Sequence, residues 1–446
     1  MRNDVIAALA TPPGRAAVAL LRISGPDAFA VASRVLRPFA DAPPRMARRA
    51  RAHSASGETL DDVLYVAYAA PASYTGEPTV EISTHGGLLA PVEVLEALFA
   101  AGARLALPGE FTRRAMANGK IDLLQAEAIG DLVDATAPAQ RRAAISQLDR
   151  GLSARISALR EQVIDLEALL AYDIDFPEED HGPVPPARID AAVRSLEESL
   201  GHLLATSQEG ERLRDGALAV IAGRPNAGKS SLFNALLGQD RAIVTEVPGT
   251  TRDAIEAPAV CGGFPFRLVD TAGLHDATDR IERLGIDVSR RYLASADVVL
   301  FCVEAGRALA PDEAEFLRST RVHTVLVRTK ADVTSAAVPA DGEVVVSAHS
   351  GLGVDALRAT LASASFTRLA ASDQVEVALT RARHRSAVTQ ARDEIVAFAA
   401  ARREGLETLV AATHLHAAAT ALTDVIGIVS SEDVLDRLFA TFCVGK

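Results

Sequence analysis

Gly223-Arg224-Pro225-Asn226-Ala227-Gly228-Lys229-Ser230 fits the pattern G-x-x-x-x-G-K-[ST]. The apolar run Ala217 to Ala222 precedes it and a helical stretch follows, which is the strand–loop–helix setting in which this pattern cradles phosphate. Its glycines let backbone N–H groups turn toward phosphate oxygens at a helix N-terminus. Lys229 is then placed to reach the β- and γ-phosphates and Ser230 to ligate magnesium, while Asn226, Ala227, Gly228 and Ser231 complete the loop.

Working outward, four more elements follow in the order a guanine-nucleotide site requires. Gly249-Thr250-Thr251-Arg252-Asp253 supplies a switch threonine, Thr251, able to touch both magnesium and the γ-phosphate; Thr245, Glu246, Val247 and Pro248 lead into it. Asp270-Thr271-Ala272-Gly273 follows a strand, with Asp270 acting through a magnesium-bound water and the Gly273 N–H sensing the γ-phosphate. Thr329-Lys330-Ala331-Asp332 marks guanine selection: Asp332 accepts hydrogen bonds from the base edge while the Lys330 stem stacks on its face. Ser347-Ala348, with His349 beside them, completes the base pocket. Residues from about 216 to 365 therefore read as a Ras-like domain that binds and hydrolyses GTP. Two positions depart from the usual pattern. Thr329 stands where asparagine is common, and its hydroxyl is expected to bond across to the phosphate loop, with weaker binding but retained specificity. Leu274 stands where many GTPases carry a water-orienting glutamine. Glu282 is the nearest suitable carboxylate along the chain; Asp276 and Asp279 compete, and a charge favouring a helix N-terminus is the plain alternative.

The flanks read differently. Short strands (Ala17 to Ile23, Thr79 to Ser83) and a helix near Ala90 to Ala101 suggest an α+β domain. Helical spacing then takes over: Ile156, Leu159, Val163, Leu166 and Leu170 form one stripe, and Ile189, Val193, Leu196, Leu200 and Leu203 another. Helices resume from about Val375. The expected architecture is an α/β multidomain chain, with a Ras-like P-loop G domain inserted into a split α-helical domain. The expected boundaries are 1–118, 119–214, 215–368 and 369–446.

Net charge is −12 and the pI about 5.4, so any nucleic-acid contact needs a local basic patch. Arg45 to Arg51, Arg113-Arg114 and Arg141-Arg142 are candidates, with solvated surface as the alternative. Three cysteines without a C-x-x-C pair argue for a reducing compartment, and no continuous apolar run approaches the ~20 residues of a bilayer span. A cytoplasmic protein with no membrane partner is expected.

Motifs outside the G domain are more specific than those within it. Thr11-Pro12-Pro13-Gly14-Arg15, Leu21-Arg22-Ile23-Ser24-Gly25, His85-Gly86-Gly87, Pro108-Gly109-Glu110-Phe111-Thr112, Lys120 to Ala128 and the terminal Phe442-Cys443-Val444-Gly445-Lys446 resemble the tRNA-modification GTPase MnmE (TrmE) family along the whole chain. Ala16-Ala17 replaces the glycine pair usual there. The resemblance implies a folate-binding N-terminal domain that makes a homodimer. It also implies a flavoprotein partner, MnmG, in a heterotetramer, and a tRNA substrate modified at C5 of the wobble uridine. The one-carbon donor would be a tetrahydrofolate derivative (5-formyl- or methylene-tetrahydrofolate). By position, Arg22, Glu81, Lys120 and Lys446 match the family's folate-binding residues. Asn226, Thr245, Val247 and Thr250 match ligands of a potassium ion that replaces an arginine finger, for which Arg224 and Arg252 are alternatives. A ribosome-assembly or signalling GTPase acting as a conformational switch is the competing function. A folate-dependent one-carbon transferase is a second.

Overall fold

The computed structural model describes residues 4–40, 45–175, 185–238, 256–270, 292–333, 342–371, 378–427 and 432–445. They form two compact units, one of Met1–Gly130 with Ile426–Lys446 and one of Asp131–Val425.

The first unit is built on a seven-stranded sheet. Its strands are β1 (Ile6–Leu9), β2 (Val18–Ser24), β3 (Leu36–Arg37), β4 (Arg48–His53), β5 (Thr59–Tyr68), β6 (Thr79–His85) and β7 (Arg104–Leu105), ordered β3-β4-β5-β6-β2-β1-β7. Every pairing is antiparallel except β1 with β7. Period-two alternation sends Leu21, Ile23, Val63, Tyr65, Val80 and Ile82 to one face, where they are buried in a core shared with helices Ala28–Val35 and Ala90–Ala100. The intervening residues, Arg22 and Glu81 among them, point to the opposite face. They lie directly across from each other on β2 and β6.

The second unit carries a six-stranded sheet of β8 (Ala217–Gly223), β9 (Glu256–Cys261), β10 (Phe264–Asp270), β11 (Val298–Glu304), β12 (Thr324–Thr329) and β13 (Glu343–Val345), ordered β13-β12-β11-β8-β10-β9. All neighbours are parallel except the β9–β10 hairpin. β9 was not anticipated from sequence. Parallel strands buried on both faces read as continuous apolar runs, and β8, β10 and β11 are buried almost throughout. The order places β8 centrally, with successive strands added first on one side and then on the other. Ligands bind at such a reversal, beyond the carboxyl ends of the strands.

Helices Gly151–Asp175, Pro186–Leu204, Ala382–Arg403 and Thr408–Ile426 also belong to this unit up to Val425. Both stripes read from sequence are buried, from Ile156 to Leu170 and from Ile189 to Leu203. Val388, Ile395 and Phe398 of the third helix and Leu415 and Leu422 of the fourth are buried as well, and the second and third helices pack together. The fourth helix is long and apolar enough on average to cross a membrane, a property its alanines and scattered polar residues conceal from a search for unbroken apolar runs. Ala411, Leu415, Ala418 and Leu422 are buried along it, and His414 pairs with Glu394 at 2.7 Å, as befits a bundle helix.

The chain enters and leaves the second sheet at one place. Helix Ser207–Asp215 runs into β8, and its Glu209 carboxylate accepts the backbone N–H groups of Arg368 (3.1 Å) and Leu369 (3.0 Å). Thr206 Oγ1 accepts the Leu379 N–H at 3.2 Å, and a Cβ at Gly210 would overlap the Leu379 carbonyl oxygen. Arg212 donates at 2.6 Å to Asp297, whose other oxygen accepts the Leu218 N–H at 2.8 Å, and at 3.3 Å to the Ser365 carbonyl.

Candidate functional site

The carboxyl ends of β8, β10, β11 and β12 deliver Gly223, Asp270, Glu304 and Thr329 to one edge of the second sheet. Gly223 has φ 142° and a Cβ there would lie 2.5 Å from the Cys302 carbonyl oxygen, so no other residue fits between β8 and β11. The loop then turns through Asn226, left-handed at φ 65° and exposed, to Gly228, the N-cap of helix Lys229–Leu237. Lys229 is buried, and its ammonium donates to the carbonyls of Gly223 (3.0 Å) and Arg224 (2.9 Å). Ser230 Oγ donates to Asp270 Oδ2 at 2.7 Å. The serine read as a magnesium ligand is thus in contact with the aspartate read as acting through a magnesium-bound water.

The residues read from sequence as the base pocket are tethered in turn. Buried Thr329 donates its hydroxyl to the Ala227 carbonyl at 2.7 Å and lies 3.4 Å from that of Val303. This is the bond across to the phosphate loop that the sequence called for. The Lys330 ammonium pairs with the Glu304 carboxylate. Asp332 accepts the Ser347 hydroxyl at 2.7 Å, and that bond holds its carboxyl below the usual aspartate range, so it stays an acceptor at neutral pH. Ser347 is buried, Ala348 half-buried and His349 exposed. Arg224 is taken up by Asp312, at 2.6 Å and 2.8 Å, on helix Pro311–Ser319.

On the other face of the first sheet, part-covered by Phe111, Ala106 and Tyr74, Arg22 donates to Glu81 Oε1 through Nε (3.0 Å) and Nη2 (2.7 Å). Its guanidinium lies over the Tyr74 ring at 5.2 Å and the Phe111 ring at 5.7 Å. Tyr68 donates its hydroxyl to Glu81 Oε2 at 3.3 Å; burial and the Glu81 charge push that hydroxyl's pKa up, so it remains a donor. The tail reaches the same place: Arg22 Nη1 is 3.5 Å from the Gly445 carbonyl, and Gly109 donates to the Cys443 carbonyl at 3.4 Å. Lys120 donates to the Pro71 carbonyl at 3.0 Å.

Residues 5–120 match the family described as GTP-binding protein TrmE N-terminus, and residues 123–443 match the MnmE helical domain. Over 467 residues the chain is 40% identical to the tRNA modification GTPase MnmE of Moorella thermoacetica, with all of both chains covered. This chain belongs to the MnmE family. The MnmE of Roseiflexus castenholzii is 40% identical over 473 residues, again covering both chains in full. Among solved structures, Era bound to MgGDPNP and a segment of 16S ribosomal RNA aligns at 25% identity and a TM-score of 0.26, over 32% of this chain and 55% of that one.

In this MnmE-family chain the sites divide clearly. Lys229, Ser230, Asp270, Thr329, Lys330, Asp332 and Ser347 gather at one sheet edge, and Arg22 and Glu81 form a pair with the tail beside them. Thr245 to Thr251, Thr271 to Gly273, Glu282 and Lys446 lie outside the described residues. Sequence reasoning missed Glu304, Tyr68 and Tyr74, none of which sits in a recognisable motif, and it quoted Phe111 only within Pro108 to Thr112, without its contact to Arg22. The basic clusters resolve unevenly. Arg114 is buried among Asp4 (2.8 Å), Glu77 (3.2 Å) and Glu110 (3.1 Å), Arg113 pairs with Asp436 at 2.7 Å, and Arg49 pairs with Asp62. Arg141 and Arg142 are exposed. Burial pushes the thiols of Cys261 and Cys302 up to about 12, which leaves exposed Cys443 as the accessible one.

Removing the Thr329 donor leaves the buried Ala227 carbonyl short of a partner, at a cost of about 1–3 kcal/mol. Thr329→Val is therefore expected to weaken GDP binding by about tenfold in calorimetry, whereas Thr329→Asn binds at least as tightly as the parent. Equal affinity of Thr329→Val and parent would show that the bond does not shape the site.

Proposed function

We propose that this chain is a potassium-stimulated GTP hydrolase that modifies tRNA. Working as a homodimer with the flavoprotein MnmG in a heterotetramer, it installs an aminomethyl-type (carboxymethylaminomethyl) group on C5 of the wobble uridine, drawing on a tetrahydrofolate one-carbon unit. The observation that carries this reading is the full-length likeness to proteins named tRNA modification GTPase, in a chain whose phosphate-loop and base-loop residues are bonded to one another.

Backbone N–H groups of the loop from Asn226 to Ser231 and the Lys229 ammonium hold the phosphates. A phosphate oxygen would accept the hydrogen bonds that the Lys229 ammonium donates to the carbonyls of Gly223 and Arg224. Ser230 Oγ would ligate magnesium, and the Asp270 carboxylate bonded to it would hold one of the ion's water ligands, with phosphate completing the shell. Among the described residues no group of three His, Cys, Asp or Glu side chains stands ready to hold a metal unaided. Magnesium there, with Thr251 closing over it, would neutralise charge between the transferring oxygens. Asn226 would hold potassium with Thr245, Val247 and Thr250 and so supply the positive charge of an absent arginine finger. Arg224, bonded to Asp312, supports that assignment. Glu282 orients the attacking water through a second, bridging water, since Leu274 has no hydrogen-bonding group.

On the first unit, Glu81 suits the amine and ring N–H edge of a pterin, and Arg22, Lys120 and Lys446 suit the glutamate tail. Arg22 is already aligned by Glu81 and the rings of Tyr74 and Phe111.

Mass analysis of tRNA from a strain carrying Lys229→Ala is expected to show loss of the C5 group; its retention would favour a conformational-switch GTPase. GTP turnover is expected to rise when potassium replaces sodium at constant ionic strength. Asn226→Ala should erase that difference, and Glu282→Ala should lower turnover about 100-fold with GTP binding kept. Equal rates in both salts, or parent-like turnover of Glu282→Ala, would refute the respective assignment. Calorimetry with 5-formyltetrahydrofolate is expected to give binding that weakens in Glu81→Ala and Lys120→Ala. No heat from the parent protein at high ligand concentration would remove folate from the scheme.

A further inference from the structure

We infer that Glu304 is a positioning residue for the guanine base, acting through Lys330; the inference rests on the guanine reading of the nucleotide site. Each residue of the base-recognition loop has a fixed anchor. Thr329 is tied to Ala227, the Ala331 N–H to the Val346 carbonyl at 3.2 Å, and Asp332 to Ser347 at 2.7 Å. Lys330 completes the set through its ammonium, held by the Glu304 carboxylate.

Backbone geometry places that carboxylate. Glu304 is the last residue of β11 and lies in register with Thr329 on β12, and its carbonyl accepts the Arg307 N–H at 3.2 Å. Lys330 is a left-handed residue at φ 57°, held there by the Ala331 bond and by the Val333 N–H on its own carbonyl at 3.1 Å. With Cα fixed at one end and the ammonium at the other, the flexible four-carbon stem has little freedom left. It becomes a preformed apolar wall for a flat base, and ordering it costs nothing further at binding.

Both side chains of the pair are 41% exposed. An ion pair so open to water adds little to fold stability. Its value is geometric: it fixes where the stem lies. A wall touches the face of a base and does not read its edge. Glu304 therefore governs how tightly a purine nucleotide is held, and Asp332 governs which purine is held. This division of labour separates the two contributions experimentally.

The test measures dissociation rates of GDP, IDP and XDP from the intact chain for Glu304→Gln, Glu304→Ala, Lys330→Ala, Asp332→Asn and the double variant Glu304→Ala with Lys330→Ala. Glu304→Ala is expected to speed release of GDP and IDP by the same factor, about tenfold for one lost anchor, with the melting temperature unchanged. Glu304→Gln, which keeps an acceptor without the charge, is expected to fall between. In the Lys330→Ala background the Glu304→Ala change is expected to add nothing, because the residue acts through the lysine. Parent-like release from both Glu304 variants, or an undiminished effect in the Lys330→Ala background, would overturn the inference. Asp332→Asn is expected to shift preference from GDP to XDP. Failure of that shift alone would refute the guanine reading and remove the role of Glu304 with it.

Discussion

The Thr329 hydroxyl, buried and 2.7 Å from the Ala227 carbonyl, joins two loops that lie 102 residues apart in sequence. In the proposed reading one loop would close around phosphate and the other around a base, with a nucleotide spanning both. Their separation would then have to match the ligand closely, because protein interiors are packed too tightly to absorb a misfit. Parallel β8, β11 and β12 set that separation coarsely, through the pairing of β8 with β11 and of β11 with β12. The hydroxyl sets it finely. Ser230 with Asp270 does the same across the β8–β10 side, so the phosphate loop is braced from both flanks.

The first unit solves a different problem with an antiparallel sheet. One face is apolar and roofed by helices, and the other combines a small apolar cluster of Ile6, Ala8, Ala106 and Phe111 with charged residues. Arg22 and Glu81 occupy directly opposed register positions there, so their contact follows from strand pairing alone. Arg114 shows the opposite use of charge. It is buried under the same unit with three carboxylates around it, Asp4, Glu77 and Glu110. Burial raises the Glu110 carboxyl, but bonds from Arg104, the Leu107 N–H and Arg114 outweigh it and hold that carboxyl below its usual range. A residue counted from sequence as surface basicity is part of the internal scaffold.

How much of this was legible in the sequence depends on the range of each interaction. The phosphate loop, the helix after it and the central strands were readable because their chemistry is local: glycines at turns, apolar runs for buried strands, helical spacing for the bundle. The Thr329 bond was readable too, since a motif fixes both of its ends. β9 was not, because Glu256-Ala257-Pro258-Ala259-Val260-Cys261 lacks alternation and contains a proline, which only its edge position tolerates. Glu304 escaped because its partner comes from the neighbouring strand, and no local pattern announces a cross-strand pair. The contacts of Tyr68, Tyr74 and Phe111 escaped for the same reason: these residues converge on Arg22 only once the sheet and its flanking segments have formed.

The clasp between helix Ser207–Asp215 and the segment from Ser365 to Leu379 bears on how such a chain assembles. Tying the ends of a flexible loop of about 150 residues costs roughly 4 kcal/mol in chain entropy. Here the loop is itself a folded sheet, and the helix leading into it is tied by Arg212 to Asp297 and to the Ser365 carbonyl at the end of its last helix. Once that sheet has formed, its closure entropy is already spent. Helices Pro186–Leu204 and Ala382–Arg403 then meet as if a short turn joined them. The inserted domain is therefore a linker for the bundle as well as its cargo, and the contact order that governs bundle assembly is far lower than the sequence separation of its halves suggests.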